Sequence, residues 1–203
     1  MERSANKRRK ILNNAVKLFI ENDIKKVTMD DIAGRSNVSK MTVYKYFTDK
    51  ENLYLHVGRS LIENCMKDMQ AQYELNEDAA GRLTGCIEVF IDFICRDYLS
   101  ICLKLAPLNE NICEEIKTFN AYVREIILKL ILEGQEKNLV RRDVGEECLY
   151  HYVNMALSYF QHDLEYRKKA TEEPLFKNDF MVFLWSNIFL DQLHDTAAKE
   201  NAG

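Results

Sequence analysis

The sequence predicts an all-α protein, with a small N-terminal three-helix domain followed by a larger C-terminal helical domain. Three observations support this. Glycine occurs seven times and proline twice in 203 residues, too few breakers for a many-turned β-sandwich or a collagen-like chain. Apolar residues recur at the three- and four-residue spacing of a helix face. Thr, Ser and Asp stand where helix starts need caps.

The first helix is expected over residues 4–22, with Ile11, Leu12, Ala15, Leu18 and Phe19 along one face. A short second helix follows Thr28 and turns Met29, Ile32 and Ala33 inward. Thr28 with Asp31 three residues on approaches a capping box. The third helix covers residues 40–46, capped by Ser39 and anchored by Val43 and Phe47. The fourth starts near Asp49 and runs to about residue 73, with Thr48-Asp49-Lys50-Glu51 read as a Thr-x-x-Glu capping box. The polar stretch 74–81 is expected to be a loop. Five helices follow near residues 82–97, 100–106, 111–137, 144–166 and 176–194, punctuated by Pro107, the turn 138–143 and the segment 168–174. The domain boundary falls at residue 55, giving a head (1–55) and a body (56–203).

The last helix contains Phe180, Met181, Val182, Phe183, Leu184 and Trp185 in a row, apolar on nearly every side. Such a helix is buried on more than one face, either as a central helix of a monomer core or, the favoured reading, against its own domain and a second subunit. Phe160, Phe180, Phe183, Leu184 and Ile188 are the candidate contacts of a homodimer.

Charge is unevenly spread. The first fifty residues carry twelve Lys and Arg against six Asp and Glu, whereas the whole chain has a net charge of −4. A basic head on an acidic body suggests that the head alone meets a polyanion. No apolar run reaches the ~18–20 residues that span a bilayer, and the charged N-terminus has no apolar segment of signal type behind it. The expected location is the cytoplasm. None of the six cysteines forms a C-x-x-C pair, so all six are expected to be buried reduced thiols.

Residues 28–47 read as a capped short helix, a three-residue turn at Asn37-Val38-Ser39, and a second short helix. This is a helix-turn-helix, whose second helix enters a major groove. Ala33 is small where two helices cross, Val38 plugs the space between them, and Asn37 suits a left-handed turn position. With Val43 and Phe47 inward, Lys40, Met41, Thr42, Tyr44, Lys45 and Tyr46 are left on the outer surface. Tyr hydroxyls and Lys ammoniums suit phosphate oxygens, and Thr or Lys suits base edges. Lys50, at the second position of its helix, opposes the macrodipole, and a bound phosphate would satisfy both it and the exposed amides. Lys7, Arg8, Arg9 and Lys10 repeat that pattern.

This segment resembles the DNA-binding head of the TetR (tetracycline-repressor) family of bacterial transcription regulators. The matching residues are Phe19, Thr28, Ile32-Ala33, Val38-Ser39, Thr42-Val43-Tyr44-Lys45-Tyr46-Phe47 and Lys50-Glu51-Asn52-Leu53, over about residues 7–56. The resemblance implies an all-α homodimer with a C-terminal ligand-binding domain, released from a palindromic operator by a small effector. By position it implies that Thr28, Tyr44, Tyr46 and Lys50 touch phosphates, and that Ser39, Lys40, Met41, Thr42 and Lys45 lie near the bases. Asp23, Asn37 and Met41 stand where the family often has Gly; Asp and Asn still permit left-handed turns, whereas Met41 puts an apolar side chain at the DNA surface. Leu132-Glu-Gly-Gln-Glu-Lys-Asn-Leu-Val-Arg resembles the family's turn after its long central helix, with Asn138 in place of Gly.

The body is aromatic and thiol-rich. Cys86, Phe90, Cys102 and Phe119 are candidate apolar walls of an effector pocket, with Tyr122, Tyr152, Asn154 and Tyr159 as polar handles. They suit an apolar or aromatic effector. No metal or cofactor is expected. Glu147 and His151 share a helix face, but His162 lies eleven residues beyond His151, about 16 Å along a helix. Redox or metal sensing through the cysteines is the alternative regulator reading. An enzyme on a helical scaffold is less favoured, since there is no Gly-rich phosphate loop, Gly-x-Ser-x-Gly or His-Glu-x-x-His. A helix-turn-helix that only binds protein is a third reading, which salt-dependent DNA affinity would exclude.

Overall fold

The computed structural model describes residues 2–190, with side chains from residue 4 onward. Its helices are α1 (Glu2–Glu21), α2 (Met29–Ser36), α3 (Lys40–Tyr46), α4 (Lys50–Leu75), α5 (Ala79–Cys95), α6 (Tyr98–Leu105), α7 (Glu110–Glu136), α8 (Glu146–His162), α9 (Leu164–Glu172) and α10 (Pro174–Ser186). A 3-10 turn, Ala106–Leu108, carries Pro107 near its start. Among the described residues there is no strand, only the isolated antiparallel bridge between Val140 and Phe189. The all-α expectation holds.

The chain packs as two compact units, Met1–Met66 with Asp97–Phe119, and Lys67–Arg96 with Asn120–Gly203. The first unit thus runs past residue 55 and takes in α6 and the start of α7. Its core is the expected one: Ile11, Ala15, Ile32, Val43, Phe47, Leu53 and Val57 are all fully buried. Ile11, Leu12, Ala15, Leu18 and Phe19 make the buried stripe of α1. Tyr54 adds a polar tie, donating its hydroxyl to the Ile24 carbonyl at 3.2 Å. Gly58 lets α4 approach α7, since a Cβ there would stand 3.3 Å from the Ile112 side chain.

In the second unit, Leu83, Ile87 and Ile91 of α5 are buried with Leu130, Ile131, Val153, Phe160 and Leu184. After α7 the chain turns at Asn138, whose φ is 57°. Gly134 accepts from the Leu139 N–H at 2.8 Å, and a Cβ on it would come within 2.5 Å of Val140. The turn therefore needs a side-chain-free residue at 134 and tolerates Asn at 138.

Several boundaries differ from the sequence expectation. The loop 74–81 shrinks to residues 76–78, because Asp78 caps α5 by accepting from the Gly81 N–H at 2.7 Å. The helix expected over 144–166 breaks at Asp163, and α9 runs through most of the segment 168–174. Asp163 is extended (φ −101°, ψ 106°) and accepts from the Tyr166 N–H, so one residue ends α8 and caps α9. The last helix stops at Ser186, where the chain turns into the Val140–Phe189 bridge. Residues 191–194 of the expected helix lie outside the described residues. Thr48 does not cap α4; Asp49 does, accepting from the Asn52 N–H at 2.7 Å. This makes Lys50 the first residue of α4 rather than the second. Asp23 is not among the left-handed residues; its carboxylate accepts from the Lys25 N–H at 3.0 Å in an ordinary turn. Cys113 and Cys148 are exposed, unlike buried Cys65, Cys86 and Cys102.

Candidate nucleic-acid interface

The N-terminus of α2 is closed by a complete capping box. Thr28 N–H donates to the Asp31 carboxylate at 2.8 Å, and Asp31 N–H donates to Thr28 Oγ1 at 3.1 Å. The Thr28 hydroxyl and backbone hold the Asp31 carboxyl below the usual carboxylate range, with the Lys50 charge assisting. Lys50 thus lies at the same end of α2 as Thr28, close enough for its charge to act on Asp31.

At the other end Asn37 is left-handed (φ 52°, ψ 51°) and its N–H bonds back into the last turn. Val38 N–H follows, donating to the Ala33 carbonyl at 3.1 Å. The chain leaves this turn extended at Ser39, whose hydroxyl accepts from the Thr42 N–H at 3.2 Å and starts α3. The turn is held by local hydrogen bonds, and half-buried Val38 fills the angle between the helices.

Helix α3 is seven residues long, and Val43 is its one buried residue. Phe47, just after it, is fully buried. Its ring meets His56 at 5.6 Å and the Arg8 guanidinium at 5.5 Å. The opposite face is open. Met41 is 79% exposed and Tyr44 40%. Met41, Thr42, Tyr44 and Lys45 together line a shallow surface depression. The remaining predicted residues already have partners. Ser39 and Thr42 hydroxyls are 2.9 Å apart. Tyr46 is half-buried, its hydroxyl 3.0 Å from Ser4 Oγ. Lys50 Nζ donates to the Lys25 carbonyl at 2.8 Å and lies 5.5 Å above the Tyr54 ring.

The candidate residues of the body are less gathered. Cys102 and Phe119 belong to the first unit, and the other six to the second. Cys86 is sealed, donating to the Met69 carbonyl at 3.5 Å. Burial pushes the Cys86 thiol up to about 11 and the Cys102 thiol up to about 12. Phe90 and Phe119 are buried and Tyr122 is half-buried. Tyr152 accepts from Asn187 at 3.1 Å. Asn154 and Tyr159 are exposed: Asn154 donates to the Tyr150 hydroxyl at 3.3 Å, and Tyr159, whose ring packs edge-on to Tyr166, lines a shallow depression with Ser158, His162, Asp163 and Leu164.

The dimer candidates divide in the same way. Phe160, Leu184 and Ile188 are covered by their own chain. Phe180 is half-buried and Phe183 is 69% exposed. Among the described residues no group of three or more His, Cys, Asp or Glu is placed to hold a metal ion. No described helix is long and apolar enough to cross a membrane.

Residues 11–57 match the family of bacterial regulatory proteins, tetR family. Over 185 residues the chain is 40% identical to the biofilm operon negative transcriptional regulator IcaR of Staphylococcus aureus, covering 89% of this chain and 97% of that one. The chain belongs to the TetR family. Other curated relatives are matched over less of their length: 42% of the transcriptional activator FasR of Mycolicibacterium smegmatis and 58% of IcaR of Staphylococcus epidermidis. Among solved structures, a putative transcriptional regulator from Saccharomonospora viridis in complex with choline superposes with a TM-score of 0.72, at 20% identity, over 92% of this chain and 99% of that one. AibR in complex with isovaleryl coenzyme A and operator DNA superposes with a TM-score of 0.68, at 14% identity, over 89% and 97%.

In this TetR-family head, sequence reasoning missed the partners of its cations. Arg8 donates to His56 Nδ1 at 2.8 Å, Arg35 forms a two-pronged pair with Glu21 at 2.7 and 2.9 Å, and Lys40 pairs with Asp30 at 2.7 Å. Each bridges residues at least ten apart, so only the folded turn brings them together.

Proposed function

We propose that the chain is a homodimeric repressor that binds a pseudo-palindromic operator through α3 and is released by a small apolar or aromatic effector. The observation that carries this is the division of α3 into two faces. Val43 and Phe47 are fully buried, while Met41, Thr42, Tyr44 and Lys45 share the uncovered side. In this reading Thr42 and Lys40 reach base edges with Ser39 beside them, Met41 meets a thymine methyl, and Lys45 lies near the groove edge. Thr28, Tyr44, Tyr46 and Lys50 contact phosphates, the last by exchanging the Lys25 carbonyl for a phosphate oxygen. Residues 1–55 form the DNA-binding domain, and residues 56–203 supply effector binding and dimerisation. The protein works in the cytoplasm, at the nucleoid when DNA-bound, and carries out no catalytic step.

The relatives support the finer parts of the reading. IcaR of Staphylococcus aureus is a negative regulator, and AibR was solved with an acyl coenzyme A and operator DNA. The partner surface in the dimer includes Phe183 and Val182 of α10, 69% and 49% exposed. Effector and DNA compete by linkage: an effector that weakens DNA binding is itself bound more weakly by the DNA complex.

Fluorescence anisotropy tests this, using DNA from upstream of the chain's own gene against random duplex at two salt concentrations. The expected result is tight, salt-dependent and selective binding at two chains per site. A coenzyme A thioester, whose acyl chain supplies the apolar part, is the first compound to test for release. Equal affinity for both duplexes after the protein is stripped of ligand by unfolding and refolding would contradict the reading.

A further inference from the structure

Two acidic residues open α2, and only one is used by the cap. Asp31 closes the box with Thr28. Asp30 is left outside it, and its Oδ2 instead accepts from Lys40 Nζ at 2.7 Å. The contact joins the first turn of α2 to the first turn of α3, across the turn that Asn37 makes. Both side chains are more than half exposed, at 63% and 52%. Exposed ion pairs of this kind add little to stability, so the pair is easily re-formed around another partner. Lys40 is also the first residue of α3.

We propose that Asp30 is a specificity-determining residue: it holds the Lys40 ammonium and denies it to phosphates, which leaves Lys40 to read a neutral base edge. This rests on the reading of α3 as the recognition helix. An ammonium has three N–H donors and no acceptor. One goes to Asp30 and two remain. A guanine edge presents two uncharged acceptors, O6 and N7, which those donors reach without meeting charge. A phosphate must bring its negative charge beside the Asp30 carboxylate, and the two repel. Neutralising residue 30 therefore frees Lys40 to seek the backbone, which strengthens binding to every sequence alike.

The test compares wild type, Asp30→Asn, Asp30→Glu, Lys40→Ala and the Asp30→Asn/Lys40→Ala double variant. Each is titrated with a random duplex and with the chain's own upstream DNA across a salt series. Asp30→Asn is expected to bind random duplex about fivefold to tenfold more tightly at about 0.1 M salt, with a salt slope steeper by about one unit per head. Its preference for the upstream site falls by a similar factor. Asp30→Glu keeps the wild-type slope, and the gain disappears in the Lys40→Ala background. A merely structural role for Asp30 would move the thermal midpoint and not the slope. If wild type binds DNA and Asp30→Asn keeps its slope and its selectivity, the assignment of Asp30 is overturned and the reading of α3 stands. If the gain persists in full without Lys40, Asp30 acts as a bare repulsive charge and the proposal again fails. If wild type binds neither duplex with any salt dependence, both the reading of α3 and the role of Asp30 fall together.

Discussion

Helices α3 and α10 each leave one side uncovered, and the chemistry of the uncovered sides is opposite. Helix α3 buries only Val43 within its length and presents Lys, Tyr, Thr and Met outward. Helix α10 buries Met181, Leu184 and Trp185 yet leaves Val182, Phe183 and Leu175 exposed. A face of hydroxyls and ammoniums gains most from an anion that carries its own acceptors. A face of Phe and Val gains most from another apolar surface. On the proposed reading, the open face of α3 meets DNA and the open face of α10 meets a second copy of the chain. The buried side of each helix only holds that open face in place.

The largest expected effect comes from removing the support of α3. Phe47→Ala deletes a fully buried ring that touches Arg8 and His56, and should cost about 3–5 kcal/mol by urea unfolding. A cost below about 1 kcal/mol would mean that the face of α3 is not set by this anchor.

Phe183→Ser makes the contrasting case. The ring is 69% exposed, so the stability of the isolated chain should change by no more than about 0.5 kcal/mol. Self-association measured by sedimentation should weaken by about thirtyfold, the loss of roughly 2 kcal/mol typical of a buried aromatic anchor in an interface. Unchanged association would remove α10 from the interface.

A smaller effect is expected from Thr28→Ala. It removes the hydroxyl that accepts from Asp31 N–H and should cost about 1 kcal/mol. On the proposed reading the hydroxyl exchanges its donation to Asp31 Oδ2 for one to a phosphate oxygen, so the same variant should also weaken DNA binding; unchanged affinity at low temperature would leave the hydroxyl a purely structural cap.

The smallest effect is one of pH. His56 is half-buried and its pKa lies below the usual imidazole value, first through burial and then through Arg8 and Arg59, with Glu63 opposing. Arg8 donates to its Nδ1, a bond that only the neutral ring accepts. The unfolded chain therefore binds this proton more readily than the folded one. The contribution is fully present above the unfolded pKa of about 6.5 and drains away as pH falls through the lower folded value. Urea midpoints of wild type should drop over that window by more than those of His56→Gln, and parallel curves would contradict the assignment.

Sequence reasoning reached the head further than the body, for a physical reason. The signals at Thr28, Asn37 and Ser39 act on N–H and carbonyl groups within a few residues, so they can be read in order along the chain. The apolar stripe of α1 and the Val43–Phe47 anchor follow from helical spacing alone. The break at Asp163 is not legible in the sequence because both sides of it continue a helical pattern, and only the extended backbone separates them. The end of α10 depends on Val140, almost fifty residues earlier. The exposure of Asn154 and Tyr159 depends on which side of α8 faces the core, which aromatic content does not determine. The pairing of Asp30 with Lys40 needs the turn between them to be built first.

The central claim is that α3 reads the DNA sequence, and selection from a random duplex library tests it most directly. Wild type and Thr42→Ala are each used to enrich bound duplexes. The account predicts a two-fold symmetric motif for wild type, with half-sites one helical turn, about 34–36 Å, or a multiple of it apart. It predicts that Thr42→Ala changes the preferred base at one symmetric pair of positions and keeps the rest. The same motif from both proteins, or none from either, would contradict it.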